Sequence, residues 1–143
     1  FEKDIHDAQE EETQHAGRES GVRLPPLKEK LLFLLKNERL YAQADFRITD
    51  LARRLGSNRA YVSRIINQQL NTTFSDLINS CRLEHARELM LNSPDPVNME
   101  EIAERAGFSS QSTFYRVFHQ HLNMSPKTWQ KKQLMKRASV KRA

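Results

Sequence analysis

Arg64 and Arg116 stand 52 residues apart, each among small polar or amide-bearing neighbours. Arg59, Ala60, Ser63 and Asn67 surround the first; Gln111, Ser112, Thr113, Tyr115 and His119 surround the second. A guanidinium offers a planar fork of donors that fits the edge of guanine, and a carboxamide pairs in the same two-point way with adenine. Threonine and tyrosine suit phosphate contact or, for threonine, the thymine methyl. Taken singly, any of these is as readily an ordinary solvated side chain. An arginine at the same place twice makes that bland explanation the weaker one.

The elements that must position these residues repeat. Leu51-Ala52 and Gly56 recur as Ile102-Ala103 and Gly107 at an offset of 51. After the glycine the offset becomes 52: Val62, Arg64, Ile65 and Ile66 recur as Phe114, Arg116, Val117 and Phe118. Leu70-Asn71 recurs as Leu122-Asn123, and Leu77 as Trp129. The apolar positions follow helical spacing, so each copy reads as two short helices hinged at a glycine, a helix-turn-helix. Glycine suits the hinge because the chain leaves the first helix in a left-handed conformation that strains other residues. Ala52 and Ala103 let the second helix approach closely. A stripe through Val62, Ile65 and Ile66 turns Ala60, Arg64 and Asn67 outward at 100° per residue, with Arg59 and Ser63 beside them. The stripe through Phe114, Val117 and Phe118 likewise turns Ser112, Arg116 and His119 outward, flanked by Gln111, Thr113 and Tyr115.

Other elements follow from the same patterning. Residues 1–26 are polar, end in Pro25-Pro26 and read as an acidic leader, disordered or with at most a short helix. Leu27, Leu31, Phe33-Leu35 and Leu40 mark a helix. Thr49 or Asp50 is the expected cap of the next, and Asn58 of the one after. A long helix is predicted over Phe74 to Asn92, stopped by the SPDP stretch at 93–96. Asn98 with Glu101 resembles a capping box, Ser109 or Ser110 starts the helix after Gly107, and Ser125-Pro126 opens a last one. The first helix-turn-helix is thus expected at about 48–70, the linking helix at about 74–92, the second helix-turn-helix at about 99–121 and the last helix at about 125–136. The class is all-α, with no strand of any strength.

Charge supports a polyanionic partner. Residues 1–20 carry two basic and seven acidic side chains, net −5, whereas residues 21–143 carry 21 basic and 11 acidic, net +10. Basic domains favour nucleic acid or anionic membrane surfaces. No apolar run reaches the roughly 18 residues that span a bilayer. A single cysteine, Cys81, cannot form an internal disulfide, which makes a reducing compartment the default. It falls on an apolar stripe and reads as core, as does Trp129 through its match to Leu77. His119 and His121 are two apart and point to different sides, a poor metal pair. No phosphate-binding glycine loop, nucleophile elbow or metal-ligand cluster is visible. No enzymatic activity, cofactor, metal or small-molecule site is therefore expected. The basic tail from Lys131 through Lys136-Arg137 to Lys141-Arg142 is expected to fray and to be available to phosphates.

The second unit, IAERAGFSSQSTFYRVFHQHLNMSP, resembles the signature of the AraC/XylS family of bacterial transcription regulators at Ile102-Ala103, Gly107-Phe108, Ser110, Ser112, Phe114, Arg116, Phe118 and Ser125-Pro126. Leu51-Ala52, Ser63-Arg64, Phe74, Asn79, Arg82-Leu83, Ala86 and Leu89 fit it in the first unit and the following helix. The resemblance covers about residues 27–143. Asn71 and Asn123 stand where the family usually has glycine, and asparagine is the next-best left-handed residue. Ala60 and Ser112 are small at positions that reach bases, which leaves the preferred sequence open.

The resemblance implies about seven helices, forming two helix-turn-helix subdomains joined by a long central helix. It implies double-stranded DNA as partner, with the recognition helices, at about 58–69 and 110–121, in two successive major-groove segments. It implies RNA polymerase as a further partner, as for an activator, although the residues leave activation and repression open. A chain starting at Phe1 is expected to be a piece of a longer protein, with a sensing or homodimer-forming part upstream. The stretch from Leu27 to Ala52 is most similar to members in which the domain follows a membrane-embedded or other large sensor. Either arrangement implies a cytoplasmic location. A helical protein-interaction module and an architectural DNA binder without sequence preference are the rivals. The first would more readily expose apolar residues on the outward faces, and these are polar or basic.

Overall fold

Apolar runs with helical spacing end at the left-handed residues Gly56, Asn71, Gly107 and Asn123, and the two helix pairs follow from that alternation. The structure, a computed structural model, describes residues 26–93 and 98–142. Among the described residues it has seven α-helices and no strand. These are α1 (Leu27–Asn37), α2 (Ile48–Arg54), α3 (Arg59–Arg64), α4 (Phe74–Asn92), α5 (Met99–Ala106), α6 (Gln111–Leu122) and α7 (Pro126–Arg142). A 3-10 turn spans Leu40–Ala42, and α3 runs on into a π-helical turn at Ile65–Gln69. The leader predicted over 1–26 lies outside the described residues except for Pro26, and so do Pro94 and Pro96 of the predicted stop.

The chain divides into two units. The first comprises residues up to Leu40 together with Phe46–Leu77. Its buried side chains are Leu31, Leu35, Leu40, Phe46, Leu51, Ala52, Leu55, Val62, Ile65 and Ile66, drawn from α1, α2 and α3 and their flanks. Burying each large aliphatic contributes about 1.5–3 kcal/mol. Phe46 and Phe74 add a ring contact, with centroids 6.0 Å apart. α2 begins at Ile48, so its cap lies two residues before Thr49 and three before Asp50, the two expected caps. Arg47 occupies the cap position, and Asp50 acts from inside the first turn, its carboxylate accepting the Arg47 amide at 2.9 Å.

The second unit comprises Tyr41–Asp45 and the chain from Ile78 onward. Its core is one cluster built from Leu83, Ala86, Met90, Met99, Ile102, Ala103, Ala106, Phe108, Phe114, Val117, Phe118 and Trp129. The rings form a chain: Phe108 to Phe114 at 5.1 Å, Phe114 to Phe118 at 5.7 Å and Phe118 to Trp129 at 5.9 Å. Arg87 stacks over the Trp129 ring at 5.9 Å, a cation–π contact. Trp129 is core as expected, whereas Cys81 is only half-buried.

Arg82 ties the Tyr41–Asp45 segment into this unit. Its Nε donates to the Tyr41 carbonyl at 2.7 Å and its Nη2 to the Gln43 carbonyl at 2.9 Å. Burial lowers the guanidinium's pKa from its ordinary value, and the nearby Cys81 acts in the opposite direction. α7 runs to Arg142, so the tail expected to fray from Lys131 onward is helical.

Candidate nucleic-acid interface

Both hinges use the same chain reversal. After α2, the Gly56 amide donates to the Arg53 carbonyl at 3.1 Å and the Ser57 amide to the Ala52 carbonyl at 2.9 Å. After α5, the Gly107 amide donates to the Glu104 carbonyl at 3.1 Å and the Phe108 amide to the Ala103 carbonyl at 2.9 Å. This nested pair of bonds is the Schellman motif, and it needs a left-handed residue at its centre. Gly56 has φ +66° and Gly107 φ +103°. Gly107 meets a second demand that periodicity did not reveal. A Cβ there would lie 2.4 Å from the Tyr41 carbonyl oxygen and 2.7 Å from the Ala42 Cα. At Gly56 a Cβ would meet nothing within 4 Å.

Each recognition helix then starts on a side-chain cap. Asn58 Oδ1 accepts from the Tyr61 amide at 2.9 Å, and Ser110 Oγ from the Thr113 amide at 3.1 Å. Ser110, rather than Ser109, is therefore the cap of α6. Asn98 caps α5, accepting from the Glu100 and Glu101 amides at 3.0 and 3.3 Å. Asn71 and Asn123, which follow the two recognition helices, have φ of 53° and 57°, the left-handed conformation expected of them.

The candidate reading residues fall into distinct environments. On α3 and its π continuation, Arg59 and Asn67 are exposed, and Ala60, Ser63 and Arg64 are half-buried. The Asn67 amide donates to Ser63 Oγ at 3.4 Å, which joins these two on one flank. On α6, Gln111, Ser112, Arg116 and His119 are exposed. Ser112 and Arg116 are one turn apart and share a face, with His119 next to them. Gln111 and Tyr115 are tied to each other, the Gln111 amide donating to the Tyr115 hydroxyl at 3.2 Å. Tyr115 is half-buried against Phe114, with ring centroids 5.9 Å apart. Thr113 is half-buried and its hydroxyl accepts from Ser110 Oγ at 3.0 Å, so it serves the cap as well as the outward face.

On α6 the expected outward residues Ser112, Arg116 and His119 are all exposed; in the first unit Asn67 is exposed, Ala60 and Arg64 are half-buried, and the helix changes character after Arg64. Beyond it the Leu70 amide reaches back five residues to the Ile65 carbonyl at 3.2 Å, and the Thr72 amide reaches Ile66 at 3.2 Å. A turn with this bonding takes more residues than an α-helical one. Asn67 therefore stands at a different angle to Arg64 than His119 does to Arg116.

Sequence patterning does not single out Arg47. It lines a surface recess with Phe46, Ile48, Thr49, Arg59 and Phe74, which places a second arginine beside the start of α3. It sits in a connection with no periodicity to expose it; a basic residue directly before α2 is the sole signal.

Carboxylates are missing from both reading stretches. No aspartate or glutamate occurs from Leu51 to Ser75, nor from Arg105 to Ala143. Arg53 and Arg54, at the start of the first stretch, pair with Asp50 and Glu38, whereas Arg59, Arg64 and Arg116 take part in no ion pair among the described residues, which suits a polyanion. Among the described residues, no helix is long and apolar enough to cross a membrane, and no three His, Cys, Asp or Glu side chains gather as metal ligands do.

A family model described as a helix-turn-helix domain matches residues 51–132. The melibiose operon regulatory protein of Escherichia coli K12 is 31% identical over 105 residues, covering 73% of this chain and 33% of that protein. The chain thus spans about a third of that regulator's length. Among solved structures, the C-terminal domain of AraT, a response regulator from Geobacillus stearothermophilus, superposes with a TM-score of 0.67 at 29% identity, covering 78% of this chain and 88% of that one. The DNA-binding domain of AdpA, a global transcriptional factor solved in complex with a target DNA, shares the fold with a TM-score of 0.68 at 24% identity, covering 80% and 98%. Two Schellman-hinged helix pairs, their capped recognition helices and the matching family model lead to one assignment: the chain belongs to the AraC-type helix-turn-helix family of DNA-binding transcription regulators.

Proposed function

We propose that this chain is the sequence-reading part of a bacterial transcription regulator, with α3 and α6 each entering one of two successive major-groove segments of double-stranded DNA. Arg64 and Arg116 supply much of the base discrimination. Arg59, Ser63, Asn67, Gln111, Ser112 and His119 contribute base or phosphate contacts around them, with Ala60, Thr113 and Tyr115 at the edges. The reading domain spans about 27–143, preceded by an acidic leader. It carries no enzymatic activity and no small-molecule site. The whole regulator works in the cytoplasm, with RNA polymerase as a further partner and a homodimer formed through an upstream region.

The observation that carries this reading is the pairing of two acid-free recognition stretches, each with an outward arginine at the same place after a matched hinge. Phosphate contacts by the basic surface account for most of the affinity and base contacts for the selectivity. The polar and basic character of the outward faces favours this over a protein-docking module.

The test has two stages. Selection from a random duplex pool should enrich a site with two dissimilar half-sites about 10 bp apart centre to centre. Inserting about 5 bp between them turns one half-site to the opposite face of the helix, and affinity should fall toward that of a single unit. Enrichment of no motif would leave an architectural binder. Unchanged affinity after the insertion would mean that one unit alone reads DNA.

A further inference from the structure

The last helix is set apart by its charge. Between Lys127 and Arg137 it carries Lys127, Lys131, Lys132, Lys136 and Arg137 and not one acid. All five are exposed. Lys127 with Lys131, and Lys132 with Lys136, are like charges at i,i+4, a spacing that destabilises an isolated helix. α4 and α5, by contrast, mix acids and bases. None of the five takes part in an ion pair among the described residues.

The helix nevertheless has a fixed base. Pro126 and Trp129 are buried, the Trp129 ring sits 5.9 Å from Phe118 of α6, and the Gln130 amide donates to the Met90 carbonyl at 2.9 Å. Further out, Arg137 Nη1 reaches the Leu91 carbonyl at 3.5 Å. The cations therefore ride on an element packed against the recognition helix of the same unit. From Lys127 to Arg137 they cover about 15 Å, a length over which a duplex presents several phosphates.

We propose that the exposed face of α7, through Lys131, Lys132 and Lys136, grips the phosphate backbone of the duplex whose bases α6 reads. The inference rests on the DNA-reading function and adds to it a contact outside both helix-turn-helix units. A polyanion along this face removes the repulsion between lysines that no described residue neutralises. A membrane surface fits less well, because an interfacial helix separates its apolar and basic faces. Here Leu134 and Met135, both exposed, lie three and four residues from Lys131 and share its face.

The experiment compares the 143-residue chain with its Lys131→Gln/Lys132→Gln/Lys136→Gln variant on a pool-selected duplex and a scrambled duplex of equal length, across a salt titration. Helix content by circular dichroism should not fall, since the change removes like-charge repulsion. The slope of log affinity against log salt should become shallower by about 0.9 for each phosphate that the variant leaves unneutralised, a total of about 2–3. Affinity should drop by a similar factor on both duplexes. An unchanged slope while the parent chain still binds DNA would overturn this inference and leave the reading function standing. A drop confined to the selected duplex would overturn it too, by making these lysines base readers. Binding to phosphatidylcholine vesicles containing phosphatidylserine that disappears in the variant, with the DNA slope unchanged, would reassign the face to a membrane. If the parent chain binds neither duplex, the DNA reading fails, and this inference fails with it.

Discussion

Gly56 and Gly107 hold the same position in the two hinges, yet replacing each with alanine should have very different consequences. At Gly56 the new Cβ meets nothing within 4 Å, and only the left-handed backbone, φ +66°, resists. That strain costs about 1–2 kcal/mol, offset in part by about 0.4–1 kcal/mol because alanine stiffens the unfolded chain. The net loss should be about 1 kcal/mol or less. At Gly107 the same strain applies at φ +103°, and the Cβ also lands 2.4 Å from the Tyr41 oxygen and 2.7 and 2.9 Å from Ala42 backbone atoms. Backbone cannot swing aside as a side-chain tip can, least of all where Arg82 grips the Tyr41 and Gln43 carbonyls. Overpacking of this kind adds about 1–3 kcal/mol, and with the same unfolded-state offset the total is about 1–4 kcal/mol. Urea unfolding followed by the fluorescence of Trp129, the chain's single tryptophan, reports the second unit directly. Asparagine sharpens the comparison, since Asn71 and Asn123 already adopt φ of 53° and 57°. Gly56→Asn should be nearly neutral and Gly107→Asn as damaging as alanine. Equal losses at the two glycines would refute the close-approach argument.

Arg64→Ala and Arg116→Ala should each cost about 1–3 kcal/mol on the selected site while relaxing discrimination at one or two base pairs; equal losses on selected and random DNA would make that arginine a phosphate clamp. Arg82→Lys should destabilise the second unit almost as much as Arg82→Ala, by about 1–3 kcal/mol, because a point charge cannot satisfy both carbonyls as the fork does; full rescue by lysine in urea unfolding would show that charge alone matters. Deleting residues 1–20, net −5, should leave DNA affinity intact or slightly raised, because like charge within a Debye length of about 8 Å repels phosphate; a marked loss in a gel-shift titration would give the leader a positive part in binding.

The features legible in the sequence are local in cause. A cap is set by one side chain and an amide two or three residues on, so the residue types alone mark Asn58 and Ser125-Pro126 as helix starts and narrow the start of α6 to Ser109 or Ser110. The hinge is set by a residue tolerant of positive φ, and the span of α4 by apolar spacing. The hidden features depend on residues far along the chain. The 3-10 turn packs on Gly107 from more than 60 residues away, and the Arg82 fork reaches back by about 40. Neither leaves a periodic trace. Arg39 adopts φ 50° with nothing in its side chain to announce it. The start of α2 departs from expectation because Asp50 works from inside the turn, its carboxylate reaching back to the Arg47 amide. In a bare sequence that aspartate looks the same as a cap.

The most consequential of these hidden features is the π turn, because it separates the two reading stretches where the repeat suggested they were alike. The stretch from Arg59 to Leu70 and α6 from Gln111 to Leu122 have the same length and the same apolar positions. Their divergence therefore comes from how each ends, not from an inserted residue. α6 closes on a single left-handed bond, from the Asn123 amide to the His119 carbonyl at 2.8 Å. The first stretch widens after Arg64 instead, and its last amides reach back five and six residues. Arg64 is half-buried at that junction, whereas Arg116 stands exposed in a regular helix. On the proposed reading, the first arginine meets its base with the narrower range of approach, and Asn67 cannot play the part that His119 plays. The two half-sites should then differ in the geometry each helix demands as well as in the letters that its side chains read.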